Sequence, residues 1–196
     1  MKANFKKRLS AFIIDFIIFY LVSTMIIFVL PASSKQVELS ERLIDIEEKF
    51  LDEEIVFEDY IDEYKEIMPE YEKENIALNI VNLVFILGYF VIIPVMNDGQ
   101  TIGKKLIKIK VKKEDDNLNT RDMILRNFVT TSLLQLMVSS TLVYIVDSNT
   151  YFIISLIVSF LQILLVIITT FMIIYRKDKN GVHDLLTKTS VVEVEI

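Results

Sequence analysis

The stretch Leu9–Leu30 reads LSAFIIDFIIFYLVSTMIIFVL, and Asp15 is the single charged residue among its 22 positions. A helix needs about 20 mostly apolar residues to cross the hydrocarbon core of a bilayer. Three further stretches of the 196-residue chain reach this length, at about 76–96, 123–146 and 151–175. The sequence therefore predicts an all-α transmembrane protein, a four-helix membrane bundle whose first span covers residues 9–30.

The charges are distributed unevenly between the connections of the predicted spans. Basic residues number four in the first eight positions and seven in the connection 97–122, whereas the connection 31–75 has 16 acidic and five basic residues. Lysine and arginine gather on the cytoplasmic flanks of membrane spans. This distribution predicts that both termini are cytoplasmic and that the acidic connection 31–75 is extracytoplasmic.

Within the acidic connection, apolar residues recur every three or four positions, first from Leu39 to Phe50 and again from Phe57 to Tyr71. This spacing is typical of amphipathic helices, and it is interrupted around residues 52–55. We therefore expect an acidic helical hairpin. Its carboxylates either attract cations or a partner protein, or they form the ordinary solvated face of a small helical lid.

Two short segments show the alternation of a half-buried strand. Residues 107–112 read IKIKVK, and residues 192–196 read VEVEI. Lysines occupy the polar positions of the first segment and glutamates those of the second, and opposite charges across a strand pair are favourable. We expect the two segments to form a small strand pair on the cytoplasmic side of the membrane.

The composition excludes several classes of protein. The chain has no cysteine and one histidine, which excludes disulfides, thiolate nucleophiles and metal centres rich in histidine or cysteine. The sequence also lacks a glycine-rich phosphate-binding loop. We therefore expect no enzymatic activity, no metal site, no cofactor and no nucleic-acid partner, and we expect the lipid bilayer to surround the chain.

Asp15 is the candidate functional residue of the first span. A charged Asp near the centre of a membrane helix costs roughly 2.5–3.5 kcal/mol on insertion scales, so it normally faces the bundle interior beside a partner. Arg126, near the start of the third span, is the expected partner of Asp15, and Arg8 is expected to meet Asp184. Asp15 is then either a protonatable or cation-binding group on a transport path or a structural residue that holds helices together.

Polar residues also occur inside the other predicted spans. They include Asn79, Asn82, Gln135 and Gln162. Such residues either join helices through hydrogen bonds, each contributing roughly 0.6 kcal/mol, or line a hydrated pathway, and both interpretations fit their spacing.

Four separated motifs resemble the RDD family of bacterial membrane proteins, which is named for one Arg and two Asp residues. Residues 7–15 read KRLSAFIID, which matches the family's opening Arg with Arg8 and its first Asp with Asp15. Residues 181–186 read GVHDLL and match the closing segment, so Asp184 is the second Asp.

The two middle motifs follow the second predicted span. Residues 99–106 read GQTIGKKL and resemble the family's cytoplasmic loop, and Arg126 with Asn127 resembles an Arg-Asn pair at the start of the next span. The loop motif contributes four candidate residues, which are Gln100, Thr101, Gly103 and Lys104.

The resemblance implies a single membrane domain over residues 1–196 in the bacterial cell membrane, with the acidic insertion 31–75 longer than the family's usual connection. It also implies transport, either of a small ligand or as exchange of monovalent cations for protons with Asp15 as the titrating group. Because four helices enclose little volume, a transporting form should be a homo-oligomer or part of a membrane complex. The alternative is a non-transporting scaffold, immunity or accessory subunit that docks partners through its acidic cap.

Overall fold

A computed structural model describes residues 1–114 and 117–194 and shows a mostly helical chain with one small strand pair. A π-helical segment covers Leu87–Ile92. The helices are α1 (Phe5–Val29), α2 (Ser34–Leu51), α3 (Phe57–Glu74), α4 (Ile76–Ile86), α5 (Ile93–Met96), α6 (Ile102–Leu106), α7 (Thr120–Thr130), α8 (Leu133–Leu142), α9 (Ser148–Tyr175) and α10 (Val182–Thr187). The strands are β1 (Ile109–Lys113) and β2 (Thr189–Glu193).

Three helical stretches in the described part of the chain are long and apolar enough to cross a membrane. They are Phe5–Val29, Ile76–Met96 and Ser148–Tyr175, and they correspond to the first, second and fourth predicted spans. Most side chains of the first and last stretches are exposed in the isolated chain. Helices whose apolar side chains face outward in this way are suited to contact with lipid.

The third predicted span, 123–146, is not confirmed as a single membrane-crossing helix, because it is divided between α7 and α8. The helix breaks between α7 and α8, where Thr131 has an extended backbone (φ −130°, ψ 174°). The Thr131 hydroxyl donates to the Asn127 carbonyl at 2.8 Å. The Gln162 side-chain amide of α9 donates to the carbonyls of Val129 at 2.9 Å and Thr131 at 3.3 Å. Gln162 thus supplies donors to carbonyls at the break, as a break within apolar surroundings requires.

The helical hairpin predicted for the acidic connection is present as α2 and α3. A capping box between Ser33 and Gln36 begins α2, and the Gln36 amide donates to the Glu74 carbonyl at the end of α3 at 2.7 Å. The start of α2 and the end of α3 therefore lie side by side. The hairpin has its own small core of the buried residues Leu39, Ile46 and Ile67, with Leu43, Tyr60, Tyr64 and Tyr71 packed against them.

The strand pair is antiparallel, with Ile109 opposite Glu193. The second strand begins earlier than predicted, and residues 195 and 196 of the predicted strand lie outside the described residues. The expected pairing of lysines with glutamates is wrong in this register, because Lys110 faces Val192. Glu193 instead forms an ion pair with Lys7 at 2.8 Å.

The helices meet at two ends of the molecule. At one end α1 packs on α6, β1 pairs with β2, and α7 packs on α10; at the other, α3 packs on α8 and α9. The backbones of Lys2 and Val192 form an isolated antiparallel β-bridge, which places the start of the chain beside β2. The main core lies at the first end and consists of Ala3, Ala11, Val91, Ile109, Val111, Met123 and Val191.

Candidate functional site

Asp15 and Asp184 are the two most deeply buried carboxylates among the described residues, and both lie at the end of the molecule that contains the strand pair. Asp184 is fully buried, and Asp15 is 2% exposed. Basic and imidazole side chains from four elements surround them. We call this group the charge cluster; its members are Arg8, Asp15, Lys104, Arg126, His183 and Asp184.

Asp184 joins two arginines that are distant in the sequence. Arg8 Nη1 donates to Asp184 Oδ2 at 2.7 Å, and Arg126 Nη1 donates to Asp184 Oδ1 at 2.6 Å. Burial raises the pKa of Asp184, but Arg126, His183 and Arg8 outweigh it, so the net pKa lies well below its ordinary value. Asp184 is therefore ionised at neutral pH.

The local sequence around α10 positions Asp184 for this contact. Gly181 precedes the helix, and its N–H donates to Asp184 Oδ2 at 3.0 Å, which satisfies one of the free amides at the helix start. Arg126 also donates to the Thr189 hydroxyl. The Thr187 and Thr189 hydroxyls are 2.8 Å apart. The ion pairs thus tie the start of α1, the middle of α7 and the segment from α10 to β2.

His183 lies against the same ion pairs and is neutral at pH 7. Burial lowers the pKa of His183 to about 3, and Arg126 adds to this shift while Asp184 opposes it. The His183 Nε2 atom is 3.5 Å from Asp184 Oδ1. A neutral imidazole here adds hydrogen-bonding capacity without another positive charge.

Asp15 is held by three hydrogen-bond donors. The Tyr89 hydroxyl donates to Oδ1 at 2.6 Å, the Thr101 hydroxyl to Oδ2 at 2.6 Å, and the Gly103 N–H to Oδ1 at 2.8 Å. A carboxylate is well satisfied by three such donors, which take the place of its lost hydration. The hydrogen bonds from Thr101 and Gly103 to Asp15 therefore connect α1 to the loop at the start of α6.

Gly103 allows this close contact because it has no side chain. A Cβ atom built at Gly103 would lie 2.7 Å from Asp15 Oδ1 and would also collide with the Ala11 carbonyl oxygen. Thr101 precedes α6 and accepts a hydrogen bond from the Lys104 N–H at 3.3 Å. The glycine and the threonine of the loop motif thus have clear structural roles beneath α1.

The predicted pairing of Asp15 with Arg126 is wrong, whereas the expected pairing of Arg8 with Asp184 is present. Asp15 instead takes its donors from Tyr89 and from the loop. Sequence reasoning missed Tyr89, although a tyrosine inside an apolar span is a signal in itself, because a buried phenol hydroxyl needs a partner.

The remaining residues of the loop motif lie at its two sides. Gln100 donates through Nε2 to the Ile109 carbonyl at 2.9 Å, which joins the loop to β1. Lys104, a member of the charge cluster, is half-buried. Burial lowers the pKa of Lys104 to about 8; Asp15 opposes this shift and Arg126 adds to it. Lys104 is therefore mostly protonated at pH 7.

Asn127 compensates for a proline in the second span. Pro94 has no N–H, so it cannot donate to the carbonyl of Phe90 four residues earlier. Asn127 Nδ2 donates to this carbonyl at 3.0 Å and to the Met123 carbonyl at 2.7 Å. The Arg-Asn motif thus contributes one residue to the ion pairs and one to helix packing.

The other polar residues predicted inside the spans have separate contacts. Asn79 donates to Glu72 at 2.8 Å, and Asn82 accepts from the Ser23 hydroxyl at 3.1 Å. The Gln135 Oε1 atom is buried with no hydrogen-bond partner among the described residues. The structure does not bring these residues together with the charge cluster, and Asn79 and Asn82 connect neighbouring helical elements.

A cavity of about 440 Å³ lies against the charge cluster. This volume is within the range of small-molecule sites, roughly 300–1,000 Å³. The charged and imidazole side chains in its lining are Arg8, Asp15, Lys104, Arg126 and His183, and the rest of the lining is largely apolar. With Asp184 included, three cations and two carboxylates surround one end of the cavity, which leaves an excess of one positive charge.

The comparisons with known proteins agree with the motifs. The sequence model of the RDD family matches residues 2–188, which is nearly the whole chain. Neither the curated proteins nor the solved structures contain a significant match.

Proposed function

The chain belongs to the RDD family of membrane proteins, and from this premise we propose that it is a multi-pass transport protein whose cargo site is the cavity at the charge cluster. The observation that carries this proposal is the cavity itself, since buried ionisable side chains and apolar walls meet there. Ionisable residues within membrane segments commonly mark substrate or proton pathways. Sites that combine apolar walls with a few polar groups are typical of ligand binding.

We infer four membrane crossings, with α7 and α8 together forming the third. The chain leaves the charge cluster at α7, which packs on α10, and α8 then packs on α3 and α9 beside the hairpin. Residues 120–142 would rise by roughly 34 Å as a helix, which is sufficient for a hydrocarbon core of about 30 Å. Four crossings also fit the contact between the start of the chain and β2.

The charge distribution supports an orientation with the charge cluster on the cytoplasmic side of the bacterial cell membrane. The segments at that end include Lys7, Arg8 and the basic loop 104–113, whereas the hairpin at the other end is acidic. Positive residues favour the cytoplasmic side. In this orientation both termini are cytoplasmic and the hairpin is extracytoplasmic.

The transporting form should be a homo-oligomer or part of a membrane complex. A bundle of four helices encloses little volume, and transport sites are usually built between repeats or bundles. The outward-facing apolar surfaces of α1 and α9 offer area for such contacts. Sizing of the detergent-solubilised protein by light scattering would give the number of chains, and a strictly monomeric, active protein would contradict this expectation.

Asp15 is the group that we assign to proton coupling. It is buried at the side of the cavity and bound by hydroxyl and amide donors, without an ion-pair partner within 4.0 Å among the described residues. Protonation would remove an acceptor and release a donor from the loop that begins α6. Because positive charges predominate around the cavity, an anionic cargo is favoured over a free monovalent cation, and cation–proton exchange stays a prediction.

Flux measurements in proteoliposomes test this proposal. Purified protein would be reconstituted with a pH-sensitive dye inside, and Na⁺, K⁺ or Li⁺ salts, or phosphate, would be added outside. We expect proton flux from the wild type that Asp15→Asn abolishes. Asp98→Asn is the matched control, because Asp98 is an exposed carboxylate in the connection that supplies Thr101 and Gly103 to Asp15, and it pairs with Lys110. Absence of flux from correctly inserted protein with every salt would contradict transport of these ions.

A second function, docking of a partner through the acidic hairpin, is favoured by the hairpin's own core and its exposed carboxylates. Because the start of α2 lies beside the end of α3, a short glycine-serine linker can replace residues 35–73. If docking is the function, this deletion removes it and Asp15→Asn leaves it unchanged. If transport is the function, the deletion leaves transport unchanged and Asp15→Asn abolishes it.

A further inference from the structure

The cavity at the charge cluster combines a basic end with apolar walls, and we infer that it binds one anionic phospholipid from the surrounding membrane. The lipid phosphate would lie beside Arg8 and Lys104, and an acyl chain would lie between α1 and α9. This inference rests on the proposed function for the cavity as a ligand site, and it names an anionic phospholipid as the class of ligand that the cavity takes.

The basic end of the cavity has unused hydrogen-bonding capacity. The side chain of Arg8 is only 9% exposed, and its Nη2 atom is buried with no partner among the described residues. Thr169 Oγ1 and His183 Nδ1 are buried and unpartnered in the same way, and all three residues line the cavity. Buried polar atoms normally have partners, so a ligand with several oxygen atoms fits this end.

The charge at this end favours an anion. Asp184 already accepts from both arginines, and Asp15 already accepts from three donors. Among the described residues, the Lys104 ammonium forms no ion pair within 4.0 Å with Asp15 or Asp184. A phosphate group would neutralise the excess positive charge and accept charge-assisted hydrogen bonds from the guanidinium and the ammonium.

The walls of the cavity indicate a lipid rather than free phosphate. Leu9 and Phe12 of α1 and Val166 of α9 line the cavity and are 42%, 49% and 43% exposed. α1 packs on α4 and α6, whereas α9 packs on α3, α7, α8 and α10. The cavity therefore opens between α1 and α9 on the apolar surface that faces lipid, where an acyl chain can enter directly.

The depth of the cavity fits a phospholipid as well. Arg8 lies in the first turn of α1, and Tyr175 ends α9 on the same side. Val166 lies nine residues before the end of α9, about 14 Å along the helix. The basic end thus lies at headgroup level, and the apolar walls extend into the hydrocarbon region.

Native mass spectrometry of the detergent-solubilised full chain tests this inference. The protein would be titrated with dioleoyl phosphatidylglycerol, with dioleoyl phosphatidylcholine and with inorganic phosphate. We expect one tightly retained phosphatidylglycerol per chain and weaker binding of phosphatidylcholine, which has the same acyl chains but no net charge. Equal retention of the two lipids, or binding of phosphate alone with the same affinity, would overturn the inference.

Two pairs of variants locate the site. Lys104→Gln should weaken retention of phosphatidylglycerol by roughly tenfold, or about 1.4 kcal/mol, because it removes a charge-assisted hydrogen bond to the phosphate. Lys105→Gln removes the same charge from an exposed neighbour outside the cavity and should leave retention unchanged. Thr170→Phe should fill the cavity and reduce retention, whereas Ile168→Phe, on the opposite side of α9, should not.

The outcomes separate this inference from the proposed transport function. Retention of phosphatidylglycerol without flux would support the lipid site and contradict transport of the ions tested. Flux without retention of phosphatidylglycerol would support transport and overturn the lipid site. Equal effects of Lys104→Gln and Lys105→Gln would assign the lipid preference to surface charge and overturn the site. Lipid-free dimers whose formation Thr170→Phe prevents would show that a second copy of the chain occupies the cavity, which also overturns it.

Discussion

Gly103 is the residue at which the smallest change should have a large effect on stability. Gly103→Ala places a methyl group against Asp15 Oδ1 and the Ala11 carbonyl, and overpacking of this kind costs about 1–3 kcal/mol. Gly88→Ala is the matched control, because a Cβ at Gly88 meets nothing within 4 Å and replacing a helical glycine stabilises by roughly 0.5–1 kcal/mol. Unfolding by dodecyl sulfate in mixed micelles, followed by circular dichroism, measures both. Equal stability of the two variants would contradict the contact between α1 and α6.

Asp184 should be the most sensitive charge in the molecule. Asp184→Asn leaves Arg8 and Arg126 buried beside a neutral side chain, and removing one partner of a buried ion pair typically costs about 3–5 kcal/mol. Asp178→Asn is the control, because the ion pair between Asp178 and Arg176 is at the surface and surface pairs contribute little. The same unfolding assay compares them. A loss for Asp184→Asn no larger than that for Asp178→Asn would show that the buried ion pairs do not hold these segments together.

The sequence predicts that the buried carboxylates need partners, but only one of the two pairings that we expected is present in the structure. Arg8 and Asp184 lie at corresponding depths and do meet. Arg126 and Asp15 also have similar predicted depths, yet Arg126 donates to Asp184. The reason is that residues 99–106 fold back beneath α1 and supply hydroxyl and amide donors to Asp15. Depth along a helix follows from counting residues, whereas this fold-back depends on the tertiary structure.

At the scale of elements, the strand pair gives a direct test of register. Ile109 lies opposite Glu193, and the Cα atoms of directly opposite residues are roughly 4.5–5.5 Å apart, within the range for a disulfide. Because the chain has no cysteine, Ile109→Cys with Glu193→Cys should form a bridge under mild oxidation. The pair Ile109→Cys with Val194→Cys should not, since adjacent residues of a strand point to opposite faces. Formation of the second bridge alone would indicate a register shifted by one residue.

The apolar blocks and the amphipathic hairpin could be predicted as elements, whereas the break between α7 and α8 could not. Helix breaks are usually predicted from glycine or proline, and neither occurs at Thr131 or Ser132. The break depends on the Thr131 hydroxyl, which bonds within its own turn, and on Gln162 of α9. For Gln162 the sequence predicts a polar residue that either joins helices or lines a hydrated pathway. Its role at the break could not be predicted, because the carbonyls of Val129 and Thr131 need its donors only where the helix is interrupted.

At the scale of the whole molecule, the position of the turn between α8 and α9 decides the number of crossings. Three long apolar helices alone would place the two ends of the described chain on opposite sides of the membrane. Two contacts require both ends of the described chain to be on the same side of the membrane. They are the ion pair between Arg8 and Asp184 and the backbone β-bridge between Lys2 and Val192. We therefore expect the interrupted helix α7–α8 to carry the chain across the membrane, with the turn at residues 143–147 on the side of the acidic hairpin.

Labelling of single cysteines in intact cells with a membrane-impermeant maleimide tests this arrangement. The positions are Glu54 in the hairpin loop, Asn149 at the start of α9 and Lys105 beside the charge cluster, and all three are exposed. We expect Glu54→Cys and Asn149→Cys to be labelled in intact cells and Lys105→Cys only after the membrane is permeabilised. If Asn149→Cys is labelled only after permeabilisation, like Lys105→Cys and unlike Glu54→Cys, then α7 and α8 do not cross the membrane. That result would also contradict the ion pair between Arg8 and Asp184, because its two partners would lie on opposite sides of the membrane in every copy of the chain.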